Sequence, residues 1–231
     1  MSKKLILACM SVAAFAAFVV LPATASAGAA LCETEGSVCK TPTAPFLVHA
    51  VSEGHANFVS GGTTLVTCET ATMTGTVIKN GPVVEGNITT ADFHNKGTTP
   101  CSSSFGGATT VDTNIGNGVP WCLKSVEGKD EWTLRGNSCT LASRSVTFVL
   151  TTTNIGTCKY NRTTPLTGTF NTHEEAGGPQ ATLKASPGES TKFTKEEGSI
   201  LCPGSGELEM SFTLTTDNPS TFTPLYIETS P

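Results

Sequence analysis

The side chains in this 231-residue chain that could do chemistry are four histidines, three pairs of adjacent carboxylates and nine cysteines. The histidines are His49, His55, His94 and His173. His49 and His55 lie six residues apart, with Glu53 the nearby acid at a ligand spacing, which falls short of a metal-binding set. His173, Glu174 and Glu175 resemble a ligand cluster, but they sit in a glycine-rich stretch with no helix to fix them. Neither H-E-x-x-H nor the calcium-loop pattern occurs, so no metal ligand and no cofactor are expected. Gly204–Glu207, "GSGE", is not the G-x-S-x-G nucleophile elbow, and no strand–turn–helix context surrounds it. The pairs Asp130-Glu131, Glu174-Glu175 and Glu196-Glu197 are neighbours in sequence. On a strand they point to opposite faces, so they read as solubilising charges at hairpin tips rather than as a glycosidase pair. No catalytic residue is therefore expected. The alternative is a secreted hydrolase whose site is scattered over loops.

The cysteines are better organised, and the N-terminus sets their chemistry. Lys3 and Lys4 open a basic start, Leu5–Leu21 is an unbroken apolar run, and Pro22 with Ala25 and Ala27 supplies a small-residue cleavage pattern. Residues 1–27 read as a secretory signal peptide cut after Ala27. A lipid anchor is not expected. Cys9 lies too early in the apolar run, and Cys32 follows the bulky Leu31. No second long apolar run follows, so no integral membrane span is expected in the mature chain. Cys9 leaves with the signal, and eight cysteines remain: Cys32, Cys39, Cys68, Cys101, Cys122, Cys139, Cys158 and Cys202. An even number in an oxidising compartment reads as disulfides, and the absence of C-x-x-C removes the usual zinc and redox spacings.

These staples must be positioned by strands. Threonine and valine, stiff at χ1 and suited to a pleated surface, are abundant, and sustained helical periodicity is missing after Ala27. Val146, Phe148 and Leu150 share one face of a strand. Leu208, Met210, Phe212 and Leu214 alternate with Glu207, Glu209, Ser211 and Thr213. Asn80-Gly81 reads as a hairpin dipeptide. "PWCLKSV" and "DEWTLRG" read as a strand pair turning through "EGKD", and "TKEEGSI" reads as an exposed loop or edge hairpin. Pro224 ahead of "LYIET" places the last strand at a sheet edge. The expected fold is all-β, a single disulfide-stapled antiparallel β-sandwich or barrel-like domain. The expected organisation is signal peptide 1–27, N-terminal extension 28–45 and β-domain 46–231.

Eight cysteines allow 105 pairings. Proximity along the chain favours Cys32–Cys39, Cys68–Cys101, Cys122–Cys139 and Cys158–Cys202.

"TCETATMTGTV" around Cys68, then Cys101, "VPW" at Val119–Trp121, "CKY" at Cys158–Tyr160, "LCP" at Leu201–Pro203 and the closing "PLYIE" resemble a large group of small secreted bacterial proteins. More distantly they are similar to the alkane-oxidation protein activators. The resemblance covers roughly residues 60 to 230. It implies secretion and an all-β fold, and it supplies no catalytic residue. In that pattern Cys68, Cys101, Cys158 and Cys202 fall at recurring positions. Cys32, Cys39, Cys122 and Cys139 then look like additions, which favours their pairing among themselves.

Formal net charge is -5, and loss of Lys3 and Lys4 with the signal takes it to -7. That balance is wrong for a nucleic-acid partner. Trp121 and Trp132 are the two tryptophans. In a sandwich such residues are usually core; exposed on a sheet face, either could stack on a sugar ring or grip an apolar ligand. The functional expectation is an exported, non-enzymatic β-protein, extracellular or associated with the cell surface. It would act by binding or assembly on a cell-wall, polysaccharide or surface-protein partner.

Overall fold

Leu208, Met210, Phe212 and Leu214 lie on one side of the longest strand, and everything else is arranged around it. The computed structural model describes residues 29–33, 40–114, 118–171, 180–218 and 221–229. Cys9, the cleavage site at Ala27, Cys39 and the trio His173, Glu174 and Glu175 lie outside the described residues.

The first strands are β1 (Ala29–Cys32), β2 (Phe46–Ser52), β3 (Ala56–Ser60), β4 (Thr63–Cys68), β5 (Thr70–Lys79) and β6 (Glu85–His94). There follow β7 (Cys101–Ser103), β8 (Ala108–Asp112), β9 (Trp121–Ser125), β10 (Glu131–Gly136), β11 (Val146–Thr152) and β12 (Gly156–Arg162). The last are β13 (Leu166–Phe170), β14 (Thr182–Ala185), β15 (Lys192–Gly198), β16 (Ser205–Asn218), β17 (Thr221–Pro224) and β18 (Tyr226–Thr229). Single 3-10 turns occur at Lys96–Thr98 and Glu189–Thr191.

Antiparallel pairing closes two rings that share β16. In the first ring β2, β5, β6, β9, β10, β13, β14 and β16 follow one another, and β16 returns to β2. In the second, β3, β4, β7, β8, β11, β12, β15 and β16 do the same, and β16 returns to β3. The N-terminal part of β16 belongs to the second ring, where Glu207–Glu209 face β3. Its C-terminal part belongs to the first, where Phe212–Thr216 face β2. Of the two architectures expected, the closed barrel is the one formed. Closure removes free sheet edges, the standing hazard of an open all-β sheet.

The chain passes repeatedly from one ring to the other, and the crossings are stapled. Strand pairing breaks at exposed Glu69, leaving β4 in the second ring and β5 in the first. There the Asn95 side chain accepts the Glu69 N–H at 3.0 Å, and the Glu69 carboxylate accepts the Lys96 N–H at 3.0 Å. Cys68–Cys101 bridges the same crossing. Cys122–Cys139 and Cys158–Cys202 complete the disulfides among the described residues, and Cys32 is itself disulfide-bonded. The three bridges close loops of 33, 17 and 44 residues. Unstrained loops of such lengths stabilise by about 3–4 kcal/mol each, on a chain-entropy account. These bridges mark a protein matured in an oxidising environment.

The rings differ inside. The second is filled by aromatic rings: Phe148 packs against Phe58 at 5.5 Å, Tyr160 at 5.6 Å and Phe193 at 4.8 Å between centroids. The first is lined mainly by aliphatic side chains, with the two tryptophans and Phe93, Phe170 and Phe212. Its outward positions are mostly polar: Thr72, Thr74 and Thr76 on β5, Thr213 and Thr215 on β16, Thr167 and Thr169 on β13. Apolar-in and polar-out is the inverse of an outer-membrane barrel. Among the described residues no helix is long and apolar enough to cross a membrane.

Two local expectations change. Of residues 194–200, expected as an exposed loop or edge hairpin, Thr194–Gly198 belong to β15, paired on both sides by β12 and β16. Their polarity is that of an outer face, while Phe193 is wholly buried on the other. The last strand lies at a sheet edge, as expected, in a two-stranded sheet. β18 pairs with β1, and Leu225 and Ile227 are buried. The Asn80-Gly81 hairpin forms, but its loop runs over residues 80–84, and the Asn80 side chain works at long range instead.

Candidate functional site

Strand alternation aims Val48 and Ala50 of β2, Val77 of β5, Ile88 of β6, Phe170 of β13 and Leu214 of β16 into the first ring. Their side chains do not fill it. A cavity of about 80 Å³ remains. The end of this cavity is closed by the hairpin-like pair β1–β18, in which Leu31 and Ile227 stand directly opposite each other and both line the cavity. Each is 4 % exposed, so the plug is seated, and each buried side chain contributes about 1.5–3 kcal/mol.

Asn80 holds the plug. Its carboxamide accepts the Leu31 N–H at 2.9 Å and donates to the Leu31 carbonyl at 2.9 Å, mimicking a strand partner for β1. A further contact from the same amide nitrogen reaches the Pro42 carbonyl at 3.3 Å.

A second cavity of about 70 Å³ lies where the rings meet, lined by residues of both, among them Phe58, Phe148 and Phe193 from one and Trp121, Ile88 and Leu183 from the other. Met73, Ile88, Leu123, Trp132 and Leu183 line both cavities. Met73 is the flexible member of that set.

No titratable side chain lines either cavity. The polar groups in the walls are largely engaged. The Ser125 hydroxyl accepts the Val84 N–H at 2.9 Å, and the Thr113 hydroxyl donates to the Ala91 carbonyl at 2.7 Å. Asn87 accepts the Cys139 N–H at 2.7 Å.

Trp121 and Trp132 are therefore not exposed stacking residues. They are 5 % and 6 % exposed and point inward, because β9 and β10 alternate in phase with the ring interior. Trp132 lies across Gly168 of β13, and its Nε1–H donates to the Thr169 carbonyl at 2.9 Å. Trp121 Nε1 is equally buried and meets no acceptor among the described residues.

The polar candidates are dispersed. His94 Nδ1 lies 2.7 Å from the Asn95 carbonyl, His55 is exposed, and His49 faces outward from β2 between Thr74 and Thr215. Among the described residues no group of three or more His, Cys, Asp or Glu is placed to hold a metal ion. Glu131 approaches Lys129 at 3.7 Å, and Glu196 and Glu197 flank Lys159 at 3.1 and 3.6 Å. Donation to the Glu196 carboxylate holds the Lys159 ammonium above its ordinary range. Ser205 opens β16, and the neighbouring Gly206 passes under the ring of Phe58, where a Cβ would collide.

The fold and site together define a closed antiparallel β-barrel protein with an apolar, uncharged interior. No family model matches this chain, and no curated protein or solved structure is found to be similar to it.

Proposed function

We propose that this is an exported, non-enzymatic binding protein that takes up small apolar molecules inside its first strand ring. One observation carries this reading: the ring encloses unfilled apolar space with no titratable group in its walls. Leaving such space empty loses stability that larger side chains would supply. An enclosed apolar pocket is the ordinary form of a small-molecule site. The β1–β18 pair covers that site, and two hydrogen bonds with the Asn80 side chain help to seat it. Export is supported by the disulfides and by the signal-like residues 1–27.

Two measurements test the reading. Protein collected from the native host's medium should begin at Gly28, carry no titratable thiol, and release an apolar molecule into organic solvent. Cyclohexane added to the purified protein should shift the methyl signals of Met73, Ile88 and Leu183 in a saturable way. Absence of saturable shifts, or turnover of an ester, peptide or glycoside by the mature protein, overturns it.

A further inference from the structure

The hairpins of the second ring all turn at one end. β3–β4 turns through residues 61–62, β7–β8 through 104–107, β11–β12 through 153–155 and β15–β16 through 199–204. The antiparallel registers from strand to strand place these four turns together. None of them contains a charged residue. The opposite end, where the chain crosses to the first ring, carries Glu69, Lys96, Asp112, Arg162 and Glu189. The uncharged end also presents apolar side chains. Ile200 is 95 % exposed and Leu201 59 %, and Phe105 and Ile155 are half-buried on the neighbouring turns. Single exposed aliphatics are ordinary on a protein surface. Two in succession on a projecting turn, at an end without charge, mark a contact site.

The turn that carries them is braced from its base. Cys202 is tied to Cys158, and its N–H donates to the Ser199 carbonyl at 3.0 Å. The Ser199 hydroxyl accepts the Leu201 N–H at 3.1 Å. Lys195 Nζ donates to the Ser199 and Cys202 carbonyls at 3.2 and 3.4 Å, and the Tyr160 hydroxyl donates to the Pro203 carbonyl at 3.1 Å. Structure therefore holds Ile200 and Leu201 out in water. Glu196 and Glu197, which precede the turn, are matched by Lys159.

We propose that this end of the second ring docks on a lipid bilayer with zwitterionic headgroups, Ile200 and Leu201 entering the boundary of the acyl chains. A protein partner of ordinary interface size needs about 800 Å² of complementary surface on each side. Here two side chains project from a turn, and a fluid layer conforms to such a projection. The serine, threonine, asparagine and glycine of the four turns can hydrogen-bond to headgroups and water, and no charge in the turns has to leave water. The turns hold no lysine or arginine and the chain is net acidic, so the attraction is apolar rather than electrostatic. The contact is separate from the ligand site in the first ring, and either can fail alone.

The test follows amide signals of the mature protein as phosphatidylcholine bicelles with a nitroxide in the acyl chain are added. Signals of Ile200 and Leu201 should broaden most, those of Phe105 and Asn154 less, and those of Glu69 and Lys96 should be unaffected. Both aliphatic side chains are exposed, so Ile200→Ser and Leu201→Ser should fold. Each should lower partition into the bicelles about tenfold, the worth of burying one aliphatic side chain. Added salt should not weaken the contact, and phosphatidylglycerol in the bicelles should not strengthen it. Absent broadening, or broadening centred away from the four turns, overturns the docking. Partition that needs the anionic lipid overturns it too. Shifts at Ile200 and Leu201 that grow with protein concentration, without bicelle broadening, would assign this end to a second copy of the chain instead.

Discussion

The indole of Trp132 lies against the bare backbone of Gly168 on the facing strand, so closely that a methyl group at 168 would overlap its six-membered ring. The same methyl would strike the carbonyl of Lys184. Glycine is required here for space, since the tryptophan occupies the place of its missing side chain. Gly168→Ala should destabilise the protein by about 3 kcal/mol, the upper end of overpacking losses. The near-ultraviolet signal of Trp132 should weaken with it. A denaturation midpoint within error of wild type would contradict the packing described.

Asn80→Ala removes both hydrogen bonds that seat Leu31. Each is worth about 0.5–1.5 kcal/mol, so the β1–β18 pair should open more often than the ring it covers. Hydrogen exchange should quicken about tenfold at amides of β1 and β18, while those of β5 and β16 keep their protection. Uniform loss of protection would show that the plug and the ring unfold as one unit.

Tyr160 is fully buried in the aromatic ring, and its hydroxyl donates to the Pro203 carbonyl at 3.1 Å. Burial pushes its pKa up to about 12. An unfolded tyrosine ionises near 10, so below that pH the phenol is neutral in both states and stability is unaffected. Between about pH 10 and 12 only the unfolded chain loses the proton, and stability falls as pH rises. The loss should total about 2–3 kcal/mol in urea midpoints taken across that window. Tyr160→Phe should remove this component of the slope.

Phe148 touches Phe58, Tyr160 and Phe193. Phe148→Ala should cost about 3–5 kcal/mol, because three rings lose a common neighbour and strands on opposite sides of the ring cannot collapse into the gap. Calorimetry would measure it. Binding of cyclohexane in the first ring should persist in any fraction that remains folded.

Much of the strand content was legible because alternation is a local property. Leu208, Met210, Phe212 and Leu214 of β16, and Val146, Phe148 and Leu150 of β11, show their inward face directly in the order of residues. Elsewhere the signal was hidden by small residues. On β5 the inward row runs Ala71, Met73, Gly75, Val77, and only two of its members are large apolar side chains. Asn80 reads as a turn former from its neighbour Gly81, whereas its side chain acts on Leu31, 49 residues away.

Side-chain alternation, cysteine order and β-branched content are carried by neighbouring residues, so a strand-built, disulfide-linked chain is written locally. Closure into two rings is not. It depends on β16 pairing with β2 and β3, more than 140 residues earlier in the chain. The unused N–H of Trp121 and the empty space beside Met73 are likewise tertiary facts. A cavity is the difference between the volume that closed strands enclose and the volume that their inward side chains fill, and no single segment carries both quantities.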